Sequence, residues 1–352
     1  MDAKDSKNGD SSKSHTDSNG RKLLTVSIAA YNVEDYIEKA LDSCLIPHID
    51  LLDIIVVDDG STDDTSTKAK LYQERYPSSI TVVEKENGGY GSTLNTSLLL
   101  ARGKYFRYLD GDDWFDSAQL DRLVQLLNKI EDDVIITPYV KRYERSQESE
   151  LIDQLSNTEE GSYPFNELSI NQGMTCPITY RTEVLRNANV VFTEHCFYVD
   201  NEYALLPMRD VKTATVLHLP LYQYRIGREG QSVSIKAIVK HLDDQKIIAY
   251  RLLDEFSEDG LFEGQYPAKE FVITKLYGIT MSVYRNLLLA NPSKKNKASL
   301  IQFDARLQGY PQLYKLIRQR SRIVKVLHST HYFGYRLLHT YMIVKYRQGV
   351  VV

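Results

Sequence analysis

Cysteine is nearly absent from this chain: 352 residues hold 3, at Cys44, Cys176 and Cys196. They are too few and too scattered for a disulfide framework, and no two have metal-pair spacing. A reducing, cytosolic setting is therefore expected. Long apolar runs are also missing. No stretch of about 18 apolar residues occurs, which argues against a membrane-spanning helix. Residues 1–20 (MDAKDSKNGDSSKSHTDSNG) lack the apolar segment of a signal peptide and predict a disordered tail. Nor is there an overall excess of positive charge. With 43 Lys and Arg against 47 Asp and Glu, the net charge of -4 gives no whole-chain reason to expect a nucleic-acid partner.

What is present is an ordinary globular composition, 42% hydrophobic, enough for one large domain with an appendage or for two modest domains. Regular patterning starts at Thr25 with the apolar run TVSIAAY. An amphipathic stretch from about Glu34 to Leu45 follows, then the apolar run DIIVVDD. The theme repeats: a polar helix to about Tyr76, strand ITVVEKE, turn NGGYG, a helix to Ala101, strand YFRYLD, a helix over 117–130, and strand VIITPY. Short apolar strands alternating with helices predict an α/β fold with a mostly parallel central sheet covered on both faces. Ligands of such sheets bind beyond the carboxyl ends of the strands. The polar clusters of this sequence stand at those ends.

The densest cluster is Tyr108-Leu109-Asp110-Gly111-Asp112-Asp113, an apolar strand running into three carboxylates. Carboxylates this close repel unless a cation compensates. Hard oxygen donors suit magnesium or manganese, which keep open positions for water and for diphosphate oxygens. A solvated loop capping the helix at Ser117 is the competing reading. After the second strand, Asp58 or Asp59 can reach a ligand, Gly60 permits a turn, and Ser61 to Asp64 supply helix-capping oxygens. At the tip of the first strand, Ala29-Ala30-Tyr31-Asn32 offers a ring and an amide to a planar base. The glycine-rich turn Asn87-Gly88-Gly89-Tyr90-Gly91 opens a helix whose N–H groups can meet a phosphate or sugar oxygen, or it is a plain strand-helix turn.

The order and spacing of these pieces over Leu24–Leu127 resemble the family 2 inverting glycosyltransferases, of bacterial type. The matching segments are VSIAAYN, EDYIEKALDSCL, IIVVDDGSTDDT, ENGGYGSTLN and ARGKYFRYLDGDDW. The resemblance implies a GT-A nucleotide-binding fold over residues 21–234 and leaves a helical C-terminal region over 235–352. It further implies transfer of a sugar from a nucleoside diphosphate sugar, UDP favoured, to a hydroxyl acceptor such as a glycan or lipid-linked sugar. That activity suits cell-surface polysaccharide synthesis. Asp110 and Asp112 would be the acidic ends of a DxD metal motif, with Asp112 favoured as the direct ligand. Ala30, Tyr31, Asn32, Asp58, Asp59, Asn87, Asn95 and Gly111 would complete the nucleotide site. Two departures stand out: Leu94 replaces a frequent Arg or Lys before the asparagine, and Ala30 replaces a common proline.

In the second half, Phe197-Tyr198-Val199-Asp200-Asn201-Glu202-Tyr203 is similar to the motif that carries the catalytic base, with Asp200 in that role. Val199 stands where many relatives have an acid, so Glu202 or Glu194 could contribute instead, or Asp200 could simply cap the helix. The loop from Tyr222 to Ser234 is similar to one that closes over the donor. Arg225 or Arg228, with Ser232, would then meet the departing diphosphate. Beyond Asp304 there is no acidic residue, while Arg306, Lys315, Arg318, Arg320, Arg322, Lys325, Arg336, Lys345 and Arg347 interleave with apolar residues. Such helices lie on an anionic membrane, here its cytoplasmic face, or form a partner-binding cap. Two other functions compete: a sugar nucleotidyltransferase, whose GGxGTRL-like loop belongs after the first strand rather than the third, and a non-catalytic nucleotide-sugar or membrane-binding module.

Overall fold

The computed structural model describes residues 22–170, 177–227, 235–258 and 264–347. Strands and helices alternate first: β1 (Leu24–Ala30), α1 (Ile37–Asp42), β2 (Leu52–Asp58), α2 (Thr65–Arg75), β3 (Ile80–Glu84), α3 (Tyr90–Leu100) and β4 (Tyr105–Asp110). Then come β5 (Trp114–Phe115), α4 (Ser117–Leu127), β6 (Val134–Ile136), β7 (Tyr139–Tyr143), β8 (Ser149–Ile152), β9 (Gly161–Pro164) and β10 (Ile178–Arg181). Helices α5 (Thr182–Asn187) and α6 (Asp200–Leu205) precede β11 (Thr213–Val216) and β12 (Tyr222–Ile226).

The eight-stranded sheet runs β3-β2-β1-β4-β10-β6-β11-β9. Its first four strands are parallel, as the βαβ pattern requires. β1 and β2 are buried almost throughout, which is why they read as unbroken apolar runs rather than alternations. Register sets up the chemistry. Ala30 lies opposite Asp58 on one side of β1, and Ala29 lies opposite Asp110 on the other. Both acids therefore emerge at the same rim. Along α4, Leu120, Leu123, Val124 and Leu127 recur at helical spacing into the core, and Asp116 caps its start by accepting from Gln119 N–H at 3.1 Å.

The apolar-poor segment after Tyr139 forms a hairpin, β7 with β8, in a second sheet ordered β5-β12-β7-β8. The later strands do not all add to the edge of the large sheet. β10 inserts antiparallel between β4 and β6, and β12 joins the small sheet beside the acidic loop.

The C-terminal region is helical: α7 (Ile235–Lys240), α8 (Leu242–Glu258), α9 (Lys269–Leu289), α10 (Lys294–Leu307), α11 (Pro311–Arg320), α12 (Arg322–Ser329) and α13 (Tyr335–Arg347). The continuous pattern over 311–346 divides into three helices because Ser321 ends one and caps the next, accepting from Val324 N–H at 3.2 Å. α10 lacks an obvious apolar pattern, since its lysine-rich first turn hides the buried Leu300, Phe303 and Leu307. These helices pack on the sheet domain, with Phe271 edge-on to Phe165 at 5.8 Å and Arg251 paired to the buried Glu202 at 2.7 Å.

Candidate active site

Four segments meet at the carboxyl rim of the sheet. Tyr31 and Asn32 leave β1 exposed to solvent, and Asn32 takes the left-handed backbone (φ 50°) open to asparagine. Its side-chain oxygen accepts from Thr62 N–H at 2.9 Å, and its own N–H donates to Ser61 Oγ at 2.9 Å. The loop after β2 is thus stitched to the tip of β1. The two aspartates of that loop differ in their surroundings. Asp59 accepts from Lys85 Nζ (2.9 Å), Gly88 N–H (2.9 Å), Gly89 N–H (2.8 Å) and Ser92 Oγ (3.2 Å). Asp58 accepts from Ser61 N–H at 3.2 Å. Asp59 therefore organises the glycine turn. Asn87 sits exposed over the same loop and donates to Asp59 O at 2.9 Å.

The glycines of the turn are forced by close approach. Gly89 has φ 80°, and a Cβ on Gly91 would lie 2.0 Å from Thr193 O. The 192–196 loop rests directly on the turn as a result. Asn95 reinforces this contact: it accepts from Phe192 N–H at 2.8 Å and donates to Phe192 O at 3.0 Å and Glu194 Oε1 at 3.2 Å. Its amide, expected on the nucleotide, is engaged in holding the strand that leads to Asp200. Leu94, the unusual residue before it, is fully buried core, so no charged side chain is missing from the rim.

Asp110 ends β4, and Gly111 follows with its N–H on Ala29 O at 3.0 Å, so close that a Cβ would meet that oxygen at 2.8 Å. Beneath it lies an aromatic floor. Tyr108 is edge-on to Tyr203 at 4.9 Å, to Tyr90 at 6.2 Å and to Tyr222 at 6.2 Å. Burial on this floor, then the neighbouring Asp112 charge and that of Asp200, push Asp110 up to about 7, against hydrogen bonding by Tyr90, while the Tyr222 hydroxyl accepts from Asp110 N–H at 3.3 Å. Asp113 points inward, accepting from Tyr222 Oη at 2.7 Å and Arg225 N–H at 2.7 Å. Burial and its two acidic neighbours hold it well above the usual carboxylate range.

Asp200 opens α6, two residues after Tyr198, whose φ of 68° turns the chain sharply. Burial raises its carboxyl above the usual range, opposed by the Lys275 charge from α9 and by backbone N–H groups. Glu202, an alternative for the catalytic acid, is fully buried and engaged by Arg251 and by Thr193, whose N–H donates at 2.7 Å and hydroxyl at 2.6 Å. Glu194 is exposed and bonded to Asn95. Val199 is buried core rather than a lost acid.

Arg225 is placed differently from expectation. Its guanidinium pairs with Glu144 at 2.5 Å, donates to Asp112 O at 2.7 Å, and lies over the rings of Tyr36 (4.7 Å) and Trp114 (4.9 Å). It braces the acidic loop from behind. Arg228 and Ser232, the other expected diphosphate contacts, lie outside the described residues, as does the 1–20 tail.

No group of three or more His, Cys, Asp or Glu side chains arranged to hold a metal occurs among the described residues. What exists is a raised Asp110 beside Asp112, hard oxygens whose mutual repulsion a divalent cation would relieve. Such ions take one or two protein carboxylates and fill the other positions with water and phosphate oxygens, so the donor set fits. Sequence reasoning missed Tyr90, Tyr222 and Lys275 as neighbours of the acids. Only the fold brings their distant segments to one rim.

Residues 25–190 match the family model described as Glycosyl transferase family 2. The chain carries a family 2 glycosyltransferase domain. Over 218 residues it is 28% identical to the uncharacterized glycosyltransferase EpsJ of Bacillus subtilis, covering 58% of this chain and 61% of that protein. Over 115 residues it is 38% identical to an uncharacterized glycosyltransferase of Rickettsia prowazekii, 32% of this chain and 35% of that one. The minor teichoic acid biosynthesis protein GgaB of Bacillus subtilis is 27% identical over 217 residues, 59% of this chain and 23% of GgaB. The chain thus spans less than two thirds of these relatives. Among solved structures, S. aureus TarS 1-349 in complex with UDP-GlcNAc superposes with a TM-score of 0.53 at 19% identity, covering 93% of this chain and 92% of that one. The glycosyltransferase domain has the GT-A fold, an α/β architecture with a mostly parallel sheet, followed by C-terminal helices. No helix among the described residues is long and apolar enough to cross a membrane.

Proposed function

We propose that this protein transfers a sugar from a nucleoside diphosphate donor, UDP favoured, to a hydroxyl of a glycan or lipid-linked sugar, with inversion at the anomeric carbon. The work is placed in the cytoplasm, at a membrane face where the acceptor is lipid-linked, and in cell-surface polysaccharide or glycoconjugate synthesis. One observation carries the reading: Asp110 ends a strand of the family 2 glycosyltransferase domain, and Asp200, from a separate segment beyond the matched residues, stands close enough for its charge to bear on Asp110.

In this reading Tyr31, Asn32, Asn87 and Asp58 frame the base, supported by their exposure or their place at the strand tips. Asp110 and Asp112 hold a divalent cation, magnesium or manganese, which when bound neutralises the donor's leaving phosphates. Asp200 accepts the acceptor hydroxyl's proton, and its raised affinity for protons suits that task. Asn95 and Arg225 position the loops that carry these acids, and Arg228 with Ser232 is assigned to the diphosphate by resemblance. Residues 21–234 form the catalytic unit and 235–352 its helical partner.

The test is release of UDP from a panel of UDP-sugars with acceptors present, alongside calorimetric UDP binding with and without manganese. Asp112→Ala is expected to lose metal-dependent UDP binding. UDP binding without turnover on any donor would leave a binding module instead. The buried Leu94 and Val199 lend that alternative no support, since neither marks a lost polar contact.

A further inference from the structure

The C-terminal helices carry a charge imbalance that the rest of the fold neutralises only at Arg306, paired with Asp254 at 3.0 Å, among the ion pairs of the described residues. Nine Lys and Arg follow Asp304, with no Asp or Glu after it. Asp304 itself is fully buried and already surrounded by donors: the hydroxyls of Tyr284, Tyr314 (3.1 Å) and Tyr332 (2.7 Å), and His328 Nε2 (3.0 Å). It offers nothing to the cations outside. Between α11 and α12 lies an open hollow of about 870 Å³, lined by Tyr314, Lys315, Arg318, Gln319, Lys325 and His328 among others. Lys315, Arg318 and Lys325 make no ion pair among the described residues; Lys325 donates to Gln319 O at 2.7 Å. Three cations around a hollow without a facing acid favour an anionic occupant.

A second feature starts beside the first. Tyr332 shares Asp304 with Tyr314 and His328 of the hollow, and the next residue is Phe333, 85% exposed. Leu337 (74%), Tyr341 (52%) and Val344 (48%) follow at spacings of four, four and three, one stripe along α13. The opposite stripe, Tyr335, Leu338 and Met342, is buried against the molecule. The outer stripe has no packing duty, yet it is apolar. Exposed Arg336 stands beside it, Lys345 Nζ lies 6.0 Å from the Tyr341 ring, and Lys297 Nζ lies 5.3 Å from the Phe333 ring. Apolar side chains in a row with flanking cations are what a helix lying in a lipid headgroup layer presents.

We infer that α11–α13 form a docking surface for an anionic phospholipid bilayer, with the hollow receiving a headgroup phosphate and the Phe333–Val344 stripe entering the acyl boundary. A free phosphate ligand would satisfy the hollow and leave the stripe unexplained, which is why the lipid is the occupant chosen. The inference rests on these helices and not on the donor site, so vesicle binding and UDP binding succeed or fail separately.

The experiment is co-sedimentation of the full chain with phosphatidylcholine vesicles and with vesicles also containing phosphatidylglycerol. Binding is expected only to the second, weakening as sodium chloride rises. The combined variant Lys315→Gln, Arg318→Gln, Lys325→Gln is expected to lower partitioning roughly a hundredfold, at about 1 kcal/mol per cation. The variant Phe333→Ser, Leu337→Ser is expected to remove the binding that persists at high salt. Both substitute exposed side chains, and their melting temperatures and UDP affinity should match wild type; Leu337→Ser alone serves if the pair fails to fold. Equal binding to neutral vesicles, or wild-type partitioning by either variant, overturns the inference. So does calorimetric binding of inorganic phosphate that the triple variant abolishes while neither vesicle type is bound, which would assign the hollow to free phosphate.

Discussion

Asp200 is an acid whose charged form the fold disfavours, and this has consequences for both rate and stability. Its proton affinity is raised by burial more than Lys275 and the backbone N–H groups lower it. The folded protein therefore binds this proton more tightly than the unfolded chain does. The associated stability is fully present below the unfolded pKa and is lost as pH rises through the folded one. At neutral pH the ionised side chain is a cost, which Asp200→Asn removes. That variant should keep UDP binding, lose sugar transfer, and melt at a higher temperature than wild type near pH 8, with the gap closing as the buffer is acidified. Thermal scans across pH read the second part, and retained transfer would reassign the base. Asp53 is a carboxylate with a purely structural duty. Nearly inaccessible, it accepts from Thr25 Oγ1 (2.9 Å) and from Arg102 Nε (2.8 Å) and backbone N–H (2.9 Å), tying the start of β2 to the turn before β4. Removing its partner with Arg102→Met takes two guanidinium hydrogen bonds from a buried carboxylate that keeps the Thr25 hydroxyl and a backbone N–H, and should lower unfolding free energy by roughly 1–3 kcal/mol in urea titration.

At the scale of elements, α9 to α12 are joined through the single carboxylate of Asp304 on α10, which gathers donors from α9, α11, α12 and the turn after it. Asp304→Asn keeps the shape but places an amide N–H among donors, so a loss of about 3 kcal/mol is expected. If hydrogen exchange were to rise in only one of these helices, the shared-anchor account would fail. The elements also show how much the sequence discloses. The parallel strands and the acidic tips were legible because both-face burial writes unbroken apolar runs, and because charge at a strand end is conspicuous. The insertion of β10 between β4 and β6 was not, since a four-residue buried strand carries no signal of its neighbour. Helix α10 escaped because its buried positions lie beyond a polar first turn. In the site, Asp58, Asp110, Asp112 and Asp200 stood out as motif acids. The tyrosines that hold Asp110, and the engagement of Arg225 by Glu144, depend on strands far apart in the chain and leave no local trace.

For the molecule as a whole, the C-terminal helices are part of the site's electrostatics as well as its periphery. Lys275 sits on α9, some seventy-five residues after Asp200, and is almost inaccessible to solvent, yet its charge lowers the proton affinity of Asp200. If Asp200 is the base, the α9 cation sets the pH at which the base becomes available. Lys275→Met keeps the stem's packing and deletes the charge, so the Asp200 pKa should move further up and the acid limb of the pH profile for kcat/KM should shift to higher pH. Transfer at alkaline pH should stay close to wild type, because there Asp200 is ionised in both proteins. A merely structural Lys275 predicts a different result: activity reduced by the same factor at every pH, in step with a lower melting temperature. UDP affinity separates the two further, since Lys275 is not among the charges that bear on Asp110 and the rim should bind UDP equally in both proteins. An unmoved acid limb in a well-folded variant would show that the helical region supports the catalytic unit without tuning it.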